Sequence, residues 1–215
     1  MQTRFRRTAV AVAAAAMLPL ALTACSGSDS KDKSSDNASS ASKGSDMASP
    51  SGATSTDDKP FGSACSSVPK DGAGSFDGMA KDPVATAASN NPALSTLVTA
   101  VKKAGLVDTL NNAQNITVFA PTNEAFAKIP KADLDKVLNN KAQLTKILTY
   151  HVVGQKLAPK DLEKGSFPTL EKSKLMTTGS GETYKVNGTA NVVCGNVKTA
   201  NANVYIIDSV LMPKS

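Results

Sequence analysis

Near residue 152 this chain changes its period, and that change decides what it can fold into. Upstream, Leu94, Leu97, Val98 and Val101 recur at i, i+3, i+4 and i+7, which puts them on one stripe of a helix. Asn91-Pro92 supplies a cap and a first-turn proline, and Gly105 follows the end. A shorter helix is predicted over Val84 to Ser89. Ile116 to Ala120 is a β-branched and aromatic run stopped by Pro121, as expected of a buried strand. Thr122 can then cap a helix carrying Glu124 in its first turn and Phe126 and Ile129 on its inner face, with Pro130 ending it. Two more helices are expected around 132–138 and 141–149, from the triplets Leu134, Val137, Leu138 and Leu144, Ile147, Leu148.

From Val152 onward Gly154, Gly165, Gly179-Ser180-Gly181, Asn187-Gly188 and Gly195-Asn196 punctuate short runs rich in Val, Thr, Leu and Tyr. Asn187-Gly188 is the best tight-hairpin signal. The last strand is expected over Val204 to Val210. Helices first and strands later predict an α+β domain with antiparallel pairing, and no internal repeat is visible.

Not all of the 215 residues take part. Arg4, Arg6 and Arg7 precede an apolar run, Thr8 to Leu22, and Leu22-Thr23-Ala24-Cys25 closes it. The run is shorter than the roughly 20 apolar residues of a spanning helix and has the layout of a secretory signal. A cysteine directly after the small residue resembles a bacterial lipobox. That resemblance implies cleavage after residue 24 and diacylglyceryl attachment to Cys25 as the new N-terminus, tethering the protein to the outer face of the cell membrane, with shedding or secretion left open. Residues 25–64 are read as the lipidated cysteine and a disordered Ser-rich stalk, too poor in large apolar side chains to offset its ordering entropy. A coil of about 40 residues spans roughly 30–40 Å. The folded domain is placed at 65–215, a size that sustains one hydrophobic core.

The formal net charge of +6 includes the three leader arginines; without them 21 lysines face 18 acidic residues, a net of +3. A nucleic-acid partner is excluded, since no arginine remains and no strongly basic face is offered. With Cys25 acylated, Cys65 and Cys194 form an even pair in an oxidising compartment, either bridged or as two buried thiols.

Three blocks then point to a family. Thr117-Val118-Phe119-Ala120-Pro121-Thr122-Asn123-Glu124-Ala125-Phe126 resembles the first signature block of fasciclin (FAS1) domains. Leu148-Thr149-Tyr150-His151-Val152-Val153 is similar to their Tyr-His block, and Ala202 to Leu211 to their closing block. The segment Asp82 to Pro92 and the late Val193-Cys194-Gly195 are similar to the secreted and lipid-anchored immunogenic antigens of mycobacteria. The resemblance implies a single fasciclin-like domain, a β wedge or sandwich flanked by short helices. It also implies a bridge between Cys65 and Cys194, since those antigens pair an early cysteine with a late one. In animal relatives the Tyr-His block is implicated in cell adhesion, which points here to Tyr150, His151, Val152 and Val153.

His151 is the single histidine. No ligand set with metal-binding spacing surrounds it, so neither a metal nor a cofactor is expected. A hydrolytic relay of His151, Asp208 and Ser209 lacks a nucleophile elbow and a Gly-rich oxyanion turn. Leu144, Leu148 and His151 lie at i, i+4 and i+7, so His151 continues an apolar stripe and is expected to be a hydrogen-bonded structural residue. Asp208, acidic within an apolar strand, needs a partner, expected to be a backbone group or His151. The sequons Asn115-Ile116-Thr117 and Asn187-Gly188-Thr189 are read as turn chemistry. The expectation is a non-enzymatic surface protein whose partner is an unidentified surface protein or envelope component. The alternative is a carrier or sensor of a small apolar ligand held in a helix–sheet cleft.

Overall fold

The computed structural model describes residues 59–213. The segments read as signal peptide and lipidated Cys25, and most of that read as stalk, lie outside them. Among the described residues no helix is long and apolar enough to cross a membrane.

Seven α-helices occur among them: α1 (Phe76–Met79), α2 (Val84–Ser89), α3 (Ser95–Ala104), α4 (Val107–Asn112), α5 (Asn123–Ala127), α6 (Lys131–Asn139) and α7 (Lys141–Tyr150). The strands are β1 (Ile116–Pro121), β2 (Val152–Val153), β3 (Lys164–Pro168), β4 (Lys174–Ser180), β5 (Thr183–Val186), β6 (Ala190–Lys198) and β7 (Ala202–Ile207). They form one sheet in the order β2-β1-β7-β6-β5-β4-β3. Antiparallel pairing holds at every junction but one. β1 and β7 run parallel, in register from Ile116↔Ala202 to Pro121↔Ile207. Two register shifts in β6, between Val192 and Cys194 and between Cys194 and Val197, interrupt its pairing with β7. Bulges of this kind bend and twist a strand.

The punctuation read from the sequence forms as physical chemistry requires. Thr122 accepts a hydrogen bond from the Ala125 N–H at 3.2 Å, capping α5. Gly105 closes α3 with a left-handed φ of 73°, where a side chain would strain the backbone. Asn187 and Gly188 take φ of 52° and 72°, and the Thr189 N–H returns to the Val186 carbonyl, a tight turn joining β5 to β6. Asn115 also has a positive φ, 55°, so both sequon asparagines sit in turn conformations.

Some expectations need correction. The helix predicted from Asn91 to Gly105 splits into a 3-10 turn, Pro92–Leu94, and α3, because Asn91 caps only the first turn through the Ala93 N–H. Gly195-Asn196 is not a turn: β6 runs through it, and Asn196 takes its positive φ at the bulge. The last strand starts and ends earlier than predicted, since beyond Ile207 the chain leaves its pairing with β1. The ordered domain also begins before Cys65. Phe61 exchanges backbone hydrogen bonds with Gly195 at 3.1 and 2.8 Å, and its ring lies 5.4 Å from that of Tyr184. Gly195 has no alternative there, since a Cβ would come within 2.3 Å of the Phe61 ring.

Alternation along β1 and β7 divides the core. Ile116, Val118, Ala120, Val204 and Ile206 face the helices and join Leu94, Leu97, Val101, Leu110, Leu144 and Leu148. Phe119, Tyr205 and Ile207 face the other way, with Tyr150, Leu157, Leu162, Phe167, Leu175 and Tyr184. Cys65 and Cys194 are bridged, with Cα atoms 4.9 Å apart across 129 positions of sequence. This ties the entry of the domain to β6.

Candidate functional site

The end of α7 brings the Tyr-His block against β1. α7 starts under an Asn140 cap whose side chain accepts from the Gln143 N–H. It buries Leu144, Ile147, Leu148 and Tyr150, and stops at His151, whose carbonyl accepts the Phe119 N–H at 2.9 Å. Val152 and Val153 then pair with Val118 and Thr117.

His151 is only 2 % exposed. Its Nε2 accepts the Leu211 N–H at 2.9 Å, which leaves the ring proton on Nδ1, donated to the Ile147 carbonyl at 2.8 Å. Burial pushes its pKa from 6.5 down to about 4, against a smaller opposing pull from the Ile147 carbonyl. The imidazole is therefore neutral at physiological pH, and both nitrogens are engaged by backbone. It clamps the segment after β7 onto the last turn of α7.

Tyr150, Val152 and Val153 are equally buried. The Tyr150 hydroxyl donates to the Lys174 carbonyl at 3.2 Å and accepts from Asn187 Nδ2 at 2.8 Å, so it ties α7 to the β4–β5 end of the sheet. None of Tyr150, His151, Val152 and Val153 presents its side chain at the surface.

Asp208 finds Asn191 rather than His151. Its Oδ1 accepts the Asn191 N–H and its Oδ2 accepts from Asn191 Nδ2, both at 2.9 Å, while Ser209 Oγ donates at 3.0 Å. Burial opposes its ionisation, but these donors and nearby Lys128 prevail and hold its pKa below the usual value. Asp208 thus bonds Ser209 and Asn191, while both His151 nitrogens go to backbone, so the three make no relay. Among the described residues no cluster of His, Cys, Asp and Glu could hold a metal ion.

Two asparagines not singled out from the sequence, Asn201 and Asn203, do much of the positioning. Asn201 donates through Nδ2 to the carbonyls of Leu110 and Ala113 at 2.8 and 2.6 Å, and its Oδ1 accepts the Val84 N–H at 2.9 Å. It locks α2 and α4 to the start of β7. Asn203 and Tyr205 both donate to the Leu157 carbonyl. The only sequence hint was an amide side chain in each case flanking or interrupting an apolar run.

A cavity of about 50 Å³ lies between α2, α3 and the helical face of β1 and β7. Its walls are mostly aliphatic, with Val84, Leu97, Val101, Val118, Val204 and Ile206 among them, and Phe119 also borders it. Asn91, Ser89, Thr199 and His151 are its polar lining residues. A second cavity, about 40 Å³, sits under α5, α6 and α7 and also touches His151.

The outer face of β3, β4 and β5 is exposed. Lys164, Thr178 and Lys185 lie in one cross-strand row, and the next row pairs Ser166 with Met176, which is 59 % exposed. Lys174 lies on the same side of β4.

Residues 92–213 match the model of the Fasciclin domain family. The chain is 52 % identical over 147 residues to immunogenic protein MPB70 of Mycobacterium bovis, covering 66 % of this chain and 75 % of that protein. It is 50 % identical over 147 residues to cell surface glycolipoprotein MPT83 of Mycobacterium tuberculosis, covering 66 % of each. Among solved structures it is similar to a FAS1 domain pair from the insect cell adhesion molecule fasciclin I. That match has a TM-score of 0.52 at 22 % identity, over 63 % of this chain and 52 % of the other, a likeness of fold.

Proposed function

Since this chain belongs to the fasciclin family, we propose that it is a lipid-anchored display protein. In this reading one FAS1 domain stands outside the cell membrane on a Ser-rich stalk, held by an acylated Cys25, and serves adhesion or envelope contacts without catalytic chemistry. One observation carries the reading: the sole histidine, the best candidate for reactive chemistry, has both nitrogens spent on backbone partners. What remains available to a partner is the exterior, including the Lys- and Met-bearing face of β3–β5. The likeness to a relative described as a cell surface glycolipoprotein supports the location.

The test is fractionation of cells expressing the full chain. Cys25→Ala should move the protein from membrane to medium or leave it unprocessed, and should reduce recovery of envelope components crosslinked to it on intact cells. A variant that fractionates and crosslinks like the parent overturns the reading. A second reading, a carrier or sensor of a small apolar ligand, is favoured by the aliphatic cavity between the helices and the sheet.

A further inference from the structure

One residue lining that cavity carries a buried polar group with no hydrogen-bond partner among the described residues. Asn91 is 2 % exposed, and its Nδ2 is buried without a hydrogen-bond partner among the described residues. The amide cannot simply be turned over, because its Oδ1 is needed to accept the Ala93 N–H at 3.0 Å. The NH2 group is thus the end of the side chain left without a partner among the described residues. The other polar residues of the lining are engaged: Ser89 Oγ with the Ala85 carbonyl, Thr199 Oγ1 with the Ala202 carbonyl, and both His151 nitrogens as described. A buried donor left unmade is costly, whereas supplying one acceptor recovers that cost.

Water is a poor answer here. A cavity of about 50 Å³ exceeds the roughly 10–15 Å³ that admits one water, but a buried water wants two to four polar partners. Among the described residues the side-chain lining offers one unused donor, and the remaining walls are apolar. An alkyl body bearing one neutral acceptor suits this better. A carboxylate would bury a charge against a single N–H, and an alcohol would bring a hydrogen needing an acceptor of its own.

We propose that Asn91 and the aliphatic cavity between α2, α3, β1 and β7 form a binding site for small neutral carbonyl compounds, ketones or esters, with the Asn91 NH2 donating to the carbonyl oxygen. Half-buried Ala88 and Val98 and exposed Ser89 mark its rim. The proposal rests on the carrier reading and gives it a ligand class.

The test titrates the isotopically labelled full chain with cyclopentanone and, separately, with cyclopentane, following the Asn91 side-chain amide by NMR. Cyclopentanone should shift that resonance saturably and bind about fivefold tighter than cyclopentane, the ratio expected for one net hydrogen bond. Asn91→Asp keeps the acceptor for Ala93 and should erase the preference. Ala88→Leu narrows the rim, leaves Asn91 in place, and should weaken both ligands. Equal binding of the two compounds overturns the Asn91 site but not the carrier reading. No saturable binding of either, in a folded parent, overturns both.

Discussion

On their helical face β1 and β7 present Ile116, Val118, Ala120, Val204 and Ile206; on the opposite face the same strands present Phe119, Tyr205 and Ile207. The helical side is mostly aliphatic and rich in alanine, with Phe126 its one buried phenyl ring among the described residues, borders the cavity, and is held by asparagine side chains that reach helix ends. The wedge side is aromatic. Phe119 stacks on Tyr205 at 5.7 Å, and tyrosine hydroxyls tie distant backbone. Rings of this size fill an interlayer gap and contribute directional contacts beyond buried area. Small aliphatic side chains on short helices leave space between them. One face of the sheet is therefore filled by stacked rings, and the other leaves a cavity between sheet and helices.

The largest expected effect comes from the staple that joins the entry segment to β6. Replacing Cys65 and Cys194 by alanine should cost about 4–5 kcal/mol if chain entropy alone governs a loop of this length. Urea unfolding of the variant beside the oxidised parent measures it, and a loss under about 1 kcal/mol would mean the two faces hold together without the bridge. Adjacent truncations probe the faces directly. Phe119→Ala should cost about 3–5 kcal/mol, and Val118→Ala, a smaller deletion on the helical face, about 2 kcal/mol. Equal losses would break the distinction between a filled wedge and a yielding helical layer.

His151 touches both cavities, and its protonation tests how tightly the faces are coupled. Unfolded, it takes up a proton below about pH 6.5; folded, it resists until about pH 4. Its contribution is fully present above pH 6.5 and is lost as pH falls through that window, on the order of 3 kcal/mol in all. Unfolding free energies at pH 7.5, 6 and 5 should show this decline in the parent and little of it in His151→Gln. The smallest effect belongs to neither core. Lys136→Ala removes an exposed i,i+3 pair with Asp133 and should change stability by less than about 0.5 kcal/mol.

Much of the helical side was legible in sequence because periodicity and caps coincide there. α2, α5, α6 and α7 lie where the pattern put them, and so does β1. α4 escaped notice because its six residues carry little more than Val107 and Leu110 at i, i+3 and lack a side-chain cap. α1 is a single turn whose cap, Ser75, sits in a Gly- and Ser-rich stretch. The parallel β1–β7 pairing was not legible, since alternation within a strand says nothing of its neighbour's direction. His151 was readable as a buried stripe residue, but Leu211, its partner 60 positions on, was not. Asn91 was readable as a cap; that its other end lacks a partner depends on how α2 and α3 meet the sheet, which is a tertiary fact.

The strand order carries a consequence for how this molecule is made. β7 is the last strand in sequence, yet it lies between β1 and β6. A chain emerging N-terminus first, from a ribosome or through a translocation pore, holds every other strand before it holds the one that joins them. Until residues 202–207 arrive, β1 and β6 expose unpaired backbone edges and the two cores have no common wall. Such edges invite pairing with other chains, and long-range pairing is slow to form. Interrupted synthesis or C-terminal clipping should therefore yield not a smaller domain but two open half-sheets, the kind of species that chaperones shield and proteases remove.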